Sequence, residues 1–284
     1  MKLSEINIYP IKSCRGIALT EAKVEDRGLQ FDRRWMLVDK NDWFMTQRKH
    51  PGMATIVVSV DNGQLTVDNA EAGSLSIPLL PDRGMPADVR VWRNRVRAVA
   101  YEPEINEWFG ELLGTKCRLV AMTEKSHRAP SHHYKIHETD EVSFADGYPF
   151  LLIGEGSLAD VNRRIEEAHA KTHAEPIAAP IPMTRFRPNF VVPGTEPFEE
   201  DTWKRIRIGK TEFHVVKPCG RCVITTTDQI TGERKSGDPL KTLAKYRTRR
   251  FGGSKKVLFG QNLIADKPGG IVHVGDKVEV IETR

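Results

Sequence analysis

The tightest constraint on this chain is the punctuation of its first hundred residues. Asp61-Asn62-Gly63 separates two β-branched runs, 55–60 and 64–67, and Asn-Gly supplies the positive φ that a tight hairpin turn requires. The design recurs: residues 3–9, 17–24, 35–38 and 43–46 alternate apolar with polar side chains, Lys40-Asn41-Asp42 turns between the last two, and 89–92 and 96–101 form a further pair. A period of two in runs this short predicts antiparallel strands, arranged as a meander or a barrel.

At Glu102 the period changes. Ile105, Trp108, Phe109, Leu112 and Leu113 fall at helical spacing until Gly114, which predicts a helix with a glycine stop. Residues 123–139 carry His127, His132, His133 and His137 but little to bury, and are read as a surface loop. No helical or strand spacing fixes those histidines, so they are not counted as metal ligands. After the apolar run 148–154, Leu158, Val161 and Ile165 predict a helix over 157–170, capped near Ser157. Further on the patterns predict a Pro-rich loop at 176–182, strands at 189–192, 203–208, 213–216 and 223–227, a short helix at 240–246 and final strands at 257–265 and 272–281. The expected class is mainly β with a few helices (α+β), in two barrel-like units, residues 1–122 and 123–284.

The chain's 284 residues, 39% apolar and 29% charged, suffice for two cores without disulfides. Its apolar runs are far below the roughly 20 residues that span a bilayer, so no membrane helix is expected. The N-terminus lacks the order of a signal peptide, which makes the cytoplasm the expected compartment. Cys14, Cys117, Cys219 and Cys222 are too few for a disulfide scaffold and are expected as free thiols. The formal charge of +5 is a small excess, with basic clusters at 93–97 and 247–250 that continues to Lys255 and Lys256. With neither a recognition helix nor zinc-finger spacing, nucleic acid is not the expected partner. The clusters read as solvated faces and a mobile loop, or as contacts for a pyrophosphate-bearing cofactor or an acidic protein.

The sharpest local chemistry is Lys217-Pro218-Cys219-Gly220-Arg221-Cys222, read as a Pro-Gly turn leading into the strand 223–227. Arg221 between two cysteines favours a thiolate at either, and a thiolate binds soft metals. A structural zinc site would want a second ligand pair, a thioredoxin-like disulfide a helix start, and two buried cysteines nothing further. These readings stay open on the motif alone.

Six blocks together narrow them: residues 9–16 (YPIKSCRG), 32–35 (DRRW), 146–153 (DGYPFLLI), 186–189 (FRPN), 218–222 (PCGRC) and 259–262 (FGQN). In this order and spacing the chain resembles the MOSC superfamily, and within it the two-domain branch that includes the mitochondrial amidoxime-reducing component and its bacterial relatives. The resemblance implies an N-terminal MOSC β-barrel domain over 1–122 and a MOSC domain over 123–284, with molybdenum cofactor (Mo-molybdopterin) between them. It implies Cys222 as the molybdenum ligand and catalytic residue, with Cys219 its neighbour. Lys12, Ser13, Arg33, Arg187 and Asn189 would contact the pterin's phosphate or ring, and Asp146, Gly147, Gly220 and Arg221 would line the site. One protein thiolate plus cationic and hydrogen-bonding side chains suits a group that brings a metal dithiolene and a phosphate.

The implied activity is reduction of N-hydroxylated compounds such as hydroxylamines, amidoximes and N-hydroxylated bases, contributing to their detoxification. Thr46, Gln47 and Arg48 are candidates for the pocket rim. The sequence carries no ferredoxin-like cysteine cluster, so electrons are expected from a separate flavoprotein reductase, ferredoxin or small haem protein. No membrane anchor is expected. The alternative from another class is a sulfur-carrier or cofactor-delivery protein with a persulfide on Cys222.

Overall fold

A computed structural model describes residues 1–171, 179–251 and 253–284. Residues 176–178 of the expected Pro-rich loop therefore lie outside the described residues. The fold is mainly β, with three α-helices among the described residues, an α+β arrangement.

Its largest sheet has nine strands, in the order Val278–Thr283, Trp203–Ile208, Thr211–Arg221, Ser254–Ala265, Phe150–Gly154, Phe190–Val192, Glu5–Ile8 and Ile17–Leu19, with Thr248–Phe251 paired to Ser254–Ala265. Alternating residues of these strands bury one core that includes Ile6, Ile8, Phe150, Phe190, Trp203 and Phe213. A four-stranded sheet orders Trp35–Val38, Arg118–Ala121, Asn94–Ala100 and Met85–Val91, and the hairpin at Asn62-Gly63 extends to a three-stranded meander, Val57–Asp61, Gln64–Asn69 and Gly73–Pro78. Among the described residues the hydrogen-bonded order of each sheet is an open path rather than a closed barrel.

The helices follow from the apolar spacing. Helix α1, Pro103–Leu113, has proline in its first turn and ends at Gly114 with φ 62°, whose N–H returns to carbonyls of the last turn. It buries Phe109 against the core that holds Trp35, Leu37 and Leu65. Helix α2, Glu155–Lys171, buries Ser157, Asp160, Val161 and Ile165, and helix α3, Leu240–Tyr246, buries Thr242 and Leu243.

Long-range pairing puts the chain's start into the C-terminal sheet: Glu5 pairs with Val191 and Ile6 with Phe190. Strand Glu21–Glu25 likewise takes Ile271–His273 as its partner.

Several expectations are corrected. The strand expected at 223–227 is a 3-10 helix, Val223–Thr226, and the cysteine segment closes a strand instead of opening one. That strand tolerates Pro218 because its register against Ser254–Ala265 shifts between Val215 and Lys217 and again between Pro218 and Gly220. Residues 43–46 make only isolated bridges, and 272–281 divides into two strands. Gly73–Pro78 and Arg118–Ala121 are strands that sequence periodicity missed. The basic segment after Arg247 is a paired hairpin, not a loop.

Candidate functional site

The loops that leave Glu5–Ile8, Gly28–Leu29 and Trp35–Val38 meet those around residues 145–151, 185–189 and 219–225 at one cleft of about 130 Å³. All ten candidate residues line it: Lys12, Ser13, Arg33, Asp146, Gly147, Arg187, Asn189, Gly220, Arg221 and Cys222. Thr46 and Arg48 line it too, whereas Gln47 is buried behind it. The lining sets six cations, Lys12, Arg33, Arg48, Arg185, Arg187 and Arg221, against one carboxylate, Asp146. Such a surface attracts an anion.

Three lining residues other than glycine have positive φ: Ser13 at 69°, Arg33 at 51° and Arg187 at 57°. Each such conformation costs on the order of 1–3 kcal/mol and persists where its surroundings enforce it. For Ser13 the enforcement is visible. The Lys12 N–H donates to the Trp35 carbonyl at 2.8 Å, the Cys14 N–H to Ile11 at 3.1 Å, and Gln47 Nε2 to the Ser13 carbonyl at 2.7 Å. Gly16 completes the turn, because a Cβ there would lie 2.4 Å from the Tyr9 ring.

Tyr9 organises two of the cations. The guanidinium carbons of Arg33 and Arg187 each lie 4.2 Å from its ring centroid, close enough for cation–π attraction. Buried Asp32 bonds Arg33 Nη1 through both oxygens, at 2.8 and 2.7 Å, and accepts the Tyr9 N–H at 2.8 Å. Burial, reinforced by neighbouring Arg33, lowers the Arg187 pKa to about 10. Asn189 has spent its amide on the protein: Oδ1 accepts from the Leu151 N–H at 3.1 Å and from Arg33 at 3.3 Å, and Nδ2 donates to the Asn7 carbonyl at 3.0 Å.

Lys12 is buried, with Nζ 2.6 Å from Asp146 Oδ1 and 2.7 Å from the Phe144 carbonyl. Burial pulls its pKa down to about 8, against the opposing pull of Asp146. Partial desolvation would raise the Asp146 carboxyl, whose side chain stays 59% exposed, but Lys12, Arg48 and Arg128 together hold it well below the usual carboxylate range.

Arg221 donates from Nε to the Phe259 carbonyl at 2.8 Å and from Nη1 to the Phe186 carbonyl at 2.9 Å. Its Nη2 and that of Arg187 are buried without a hydrogen-bond partner among the described residues. Arg185 Nε, on a third lining arginine, is likewise buried without a partner; a buried donor left unpaired costs about 1–3 kcal/mol, so three in one cationic cleft mark a place suited to an anionic ligand. Gly260, at φ 74°, leaves room for this arginine: a Cβ there would meet Ile153 at 2.7 Å and Arg221 Nη2 at 3.4 Å.

The two cysteines differ. Burial raises the Cys219 thiol above its ordinary pKa and outweighs Arg221, which corrects the expectation that the arginine favours a thiolate at either. Cys222 is half-buried and precedes the 3-10 helix Val223–Thr226, its carbonyl accepting the Thr225 N–H at 3.1 Å.

Residues 1–116 match the MOSC N-terminal beta barrel domain and residues 139–279 the MOSC domain. The chain is 31% identical to human (Homo sapiens) mitochondrial amidoxime-reducing component 1, covering 98% of this chain and 82% of that protein. It is 32% identical to mitochondrial amidoxime reducing component 2 of the rat (Rattus norvegicus), covering 97% and 82%. The chain belongs to the MOSC family. Rice (Oryza sativa subsp. japonica) molybdenum cofactor sulfurase is 31% identical across 91% of this MOSC chain, which spans 32% of the sulfurase's length.

Sequence reasoning missed several groups around this MOSC cleft. Arg185 lines it and is tied down by the Thr226 carbonyl at 2.8 Å and Asp228 at 2.9 Å; its signal was the alternation Arg185-Phe186-Arg187. Arg128, in the expected loop, reaches in to the carbonyls of Ser143, Ala145 and Asp146, and nothing local announces it. Of the loop histidines, His127 bonds Glu141 and His137 approaches Asp266. Among the described residues no helix is long and apolar enough to cross a membrane.

Proposed function

We propose that this MOSC protein holds molybdenum cofactor in the cleft and reduces N-hydroxylated compounds with electrons from a separate carrier, in the cytoplasm. The observation that carries the reading is the set of unpartnered guanidinium nitrogens on Arg185, Arg187 and Arg221 in the same cationic cleft as the Cys222 thiol. These residues fit a group that brings both a thiolate-seeking metal and a phosphate. The amidoxime-reducing names of the human and rat relatives point the same way. When bound, the cofactor supplies the two-electron chemistry in which R–NHOH, two protons and two electrons give R–NH2 and water.

In this reading the Cys222 thiolate ligates molybdenum, and Lys12, Arg33 and Arg187 neutralise the phosphate. Ser13 offers its hydroxyl as a directed donor. Asn189 acts through Arg33, which it holds in place, and Asp146 keeps buried Lys12 charged. Gly147 and Gly220 let the ligand approach the backbone, and Arg221 contributes its unpaired nitrogen.

The test is molybdenum and pterin per chain for the native protein, Cys222→Ser and Cys219→Ser, produced in a cofactor-competent host. Near-stoichiometric molybdenum in the native and Cys219→Ser proteins, falling in Cys222→Ser, supports the reading, as does turnover of benzamidoxime with reduced methyl viologen. The sulfurase relative favours a second reading, a persulfide on Cys222 that serves sulfur or cofactor delivery. Protein free of molybdenum and pterin, with Cys222 heavier by one sulfur, would replace the first reading with the second.

A further inference from the structure

The cleft explains six of the chain's cations, but four others stand in an arrangement that folding alone disfavours. Strands Thr248–Phe251 and Ser254–Ala265 form a hairpin in which Arg249 is paired with Lys256 and Arg250 with Lys255. Like charges directly opposite on antiparallel strands repel. All four side chains are exposed, and among the described residues no carboxylate lies within ion-pair distance of any of them. The nearby Arg247 does have an acid, Asp201, at 2.5 Å, so the missing acids are particular to the hairpin's outer part.

Position gives the cluster a use. Strand Ser254–Ala265 pairs with the cysteine segment, Val257 with Arg221 and Leu258 with Gly220. The Lys256 stem lies over Gly220, where a Cβ would meet its Cδ at 3.5 Å. The outer charges are therefore one strand spacing, about 5 Å, plus a few residues from Cys222.

We infer that this hairpin is the docking surface for an acidic electron-transfer protein, which it seats beside Cys222. The inference rests on the proposed reductase function and names the surface through which that function receives its electrons. Two reduced one-electron carriers, docking in turn, each give up one of the two electrons that the N-hydroxylated substrate consumes with two protons, and leave oxidised. The cations form a compact patch beside the cleft, which suits a small globular partner better than the extended phosphate track of a duplex or the broad plane of a lipid headgroup surface. Unneutralised charge at the rim of an interface acts mainly on encounter rate and salt dependence.

The test uses a small acidic [2Fe–2S] ferredoxin as probe and measures its binding by titration calorimetry at low ionic strength, a readout that needs no turnover. The variants are Lys255→Glu, Arg250→Glu with Lys256→Glu, and a control reversal, Lys210→Glu, of an exposed cation at the other end of strand Thr211–Arg221 from Arg221. Lys255→Glu places an acid opposite Arg250, so thermal stability holds or rises while ferredoxin binding falls by about tenfold, roughly 1.4 kcal/mol. The second variant falls at least as far and the control stays at native affinity. Equal loss in the control, native affinity in both hairpin variants, or absence of ferredoxin binding alongside hairpin-dependent binding of duplex DNA or anionic vesicles overturns the inference. Molybdenum content is measured in parallel, so a chain that binds ferredoxin through the hairpin but lacks molybdenum faults the reductase reading and leaves the surface standing.

Discussion

Gln47 and Gln229 lie face to face, each side-chain nitrogen donating to the other's carbonyl oxygen at 3.1 Å. Gln47 also donates to the Ser13 carbonyl at 2.7 Å, and Gln229 Oε1 accepts from Arg187 Nη1 at 3.2 Å. Two residues 182 positions apart thus connect the Ser13 carbonyl to the Arg187 side chain, both from residues of positive φ that line the cleft. Both amides are buried, and in that setting the cost of losing one partner exceeds the net value of having both.

Gln229→Leu leaves the Gln47 amide and Arg187 Nη1 short of a partner, and is expected to destabilise the fold by about 1–3 kcal/mol. Gln47→Leu acts similarly. The double variant costs less than the sum, with a coupling of roughly 0.5–3 kcal/mol. Urea unfolding of all four proteins measures it, and additivity within about 0.3 kcal/mol contradicts the pairing.

Arg187→Lys keeps the charge but cannot at once lie against Tyr9, bond Gln229 and present a further planar donor. The variant is expected to fold, with its cofactor held on the order of tenfold more weakly, roughly 1.4 kcal/mol. Molybdenum and pterin per chain after dialysis read this out. Native retention removes Arg187 from the cofactor's contacts.

Buried Glu200 supplies a pH signature away from the cleft. Burial raises its carboxyl from 4.5 to about 7, against hydrogen bonds from the Ser157 hydroxyl and the Gly154 N–H. The folded state then holds a proton that the unfolded chain gives up earlier. The stability this contributes is fully present below pH 4.5 and is lost as pH rises to about 7. Glu200→Gln cannot ionise, so its stability relative to native grows across that window and levels off above it. Parallel stability–pH curves for the two proteins rule this out.

Trp92 has φ 55° in the two-residue connection between Met85–Val91 and Asn94–Ala100, where asparagine or glycine is at less cost. Its Nε1–H donates to Asp146 Oδ1 at 3.3 Å, and the Arg48 guanidinium carbon lies 4.7 Å from its ring centroid. Trp92→Asn is expected to hold stability or raise it by up to about 1 kcal/mol. Catalytic efficiency toward benzamidoxime falls about 2- to 5-fold, the equivalent of ~0.5–1 kcal/mol of cation–π contact. A stability loss with unchanged kinetics reverses the assignment.

Most of the cleft was legible because its residues travel in short blocks. The Lys12-Ser13 pair, Asp32-Arg33, Arg187-Pro188-Asn189 and the Cys219–Cys222 segment each place a chemistry-bearing side chain beside turn residues, and all reach one cavity. Gln229, Arg128 and Trp92 were not legible, since an amide, an arginine in a polar loop and a tryptophan in a hairpin carry no local mark of where they point. The direction of the cysteine segment was misread for a related reason. Pro218 and Gly220 look like a turn, yet bulged pairing with Ser254–Ala265 carries the strand through them to Arg221.

By itself the sequence determined the β-rich class, the three helices and the residue types at the cleft, because apolar period, turn chemistry and charge are local properties of the chain. Only the tertiary structure decided that Glu5–Ile8 joins Phe190–Val192, and that Ser13, Arg33 and Arg187 are held at positive φ around one space. It also decided that three guanidinium nitrogens there stay without a hydrogen-bond partner among the described residues. Partners so far apart in sequence are chosen by shared burial and hydrogen-bond satisfaction, which exist only once the distant segments have met.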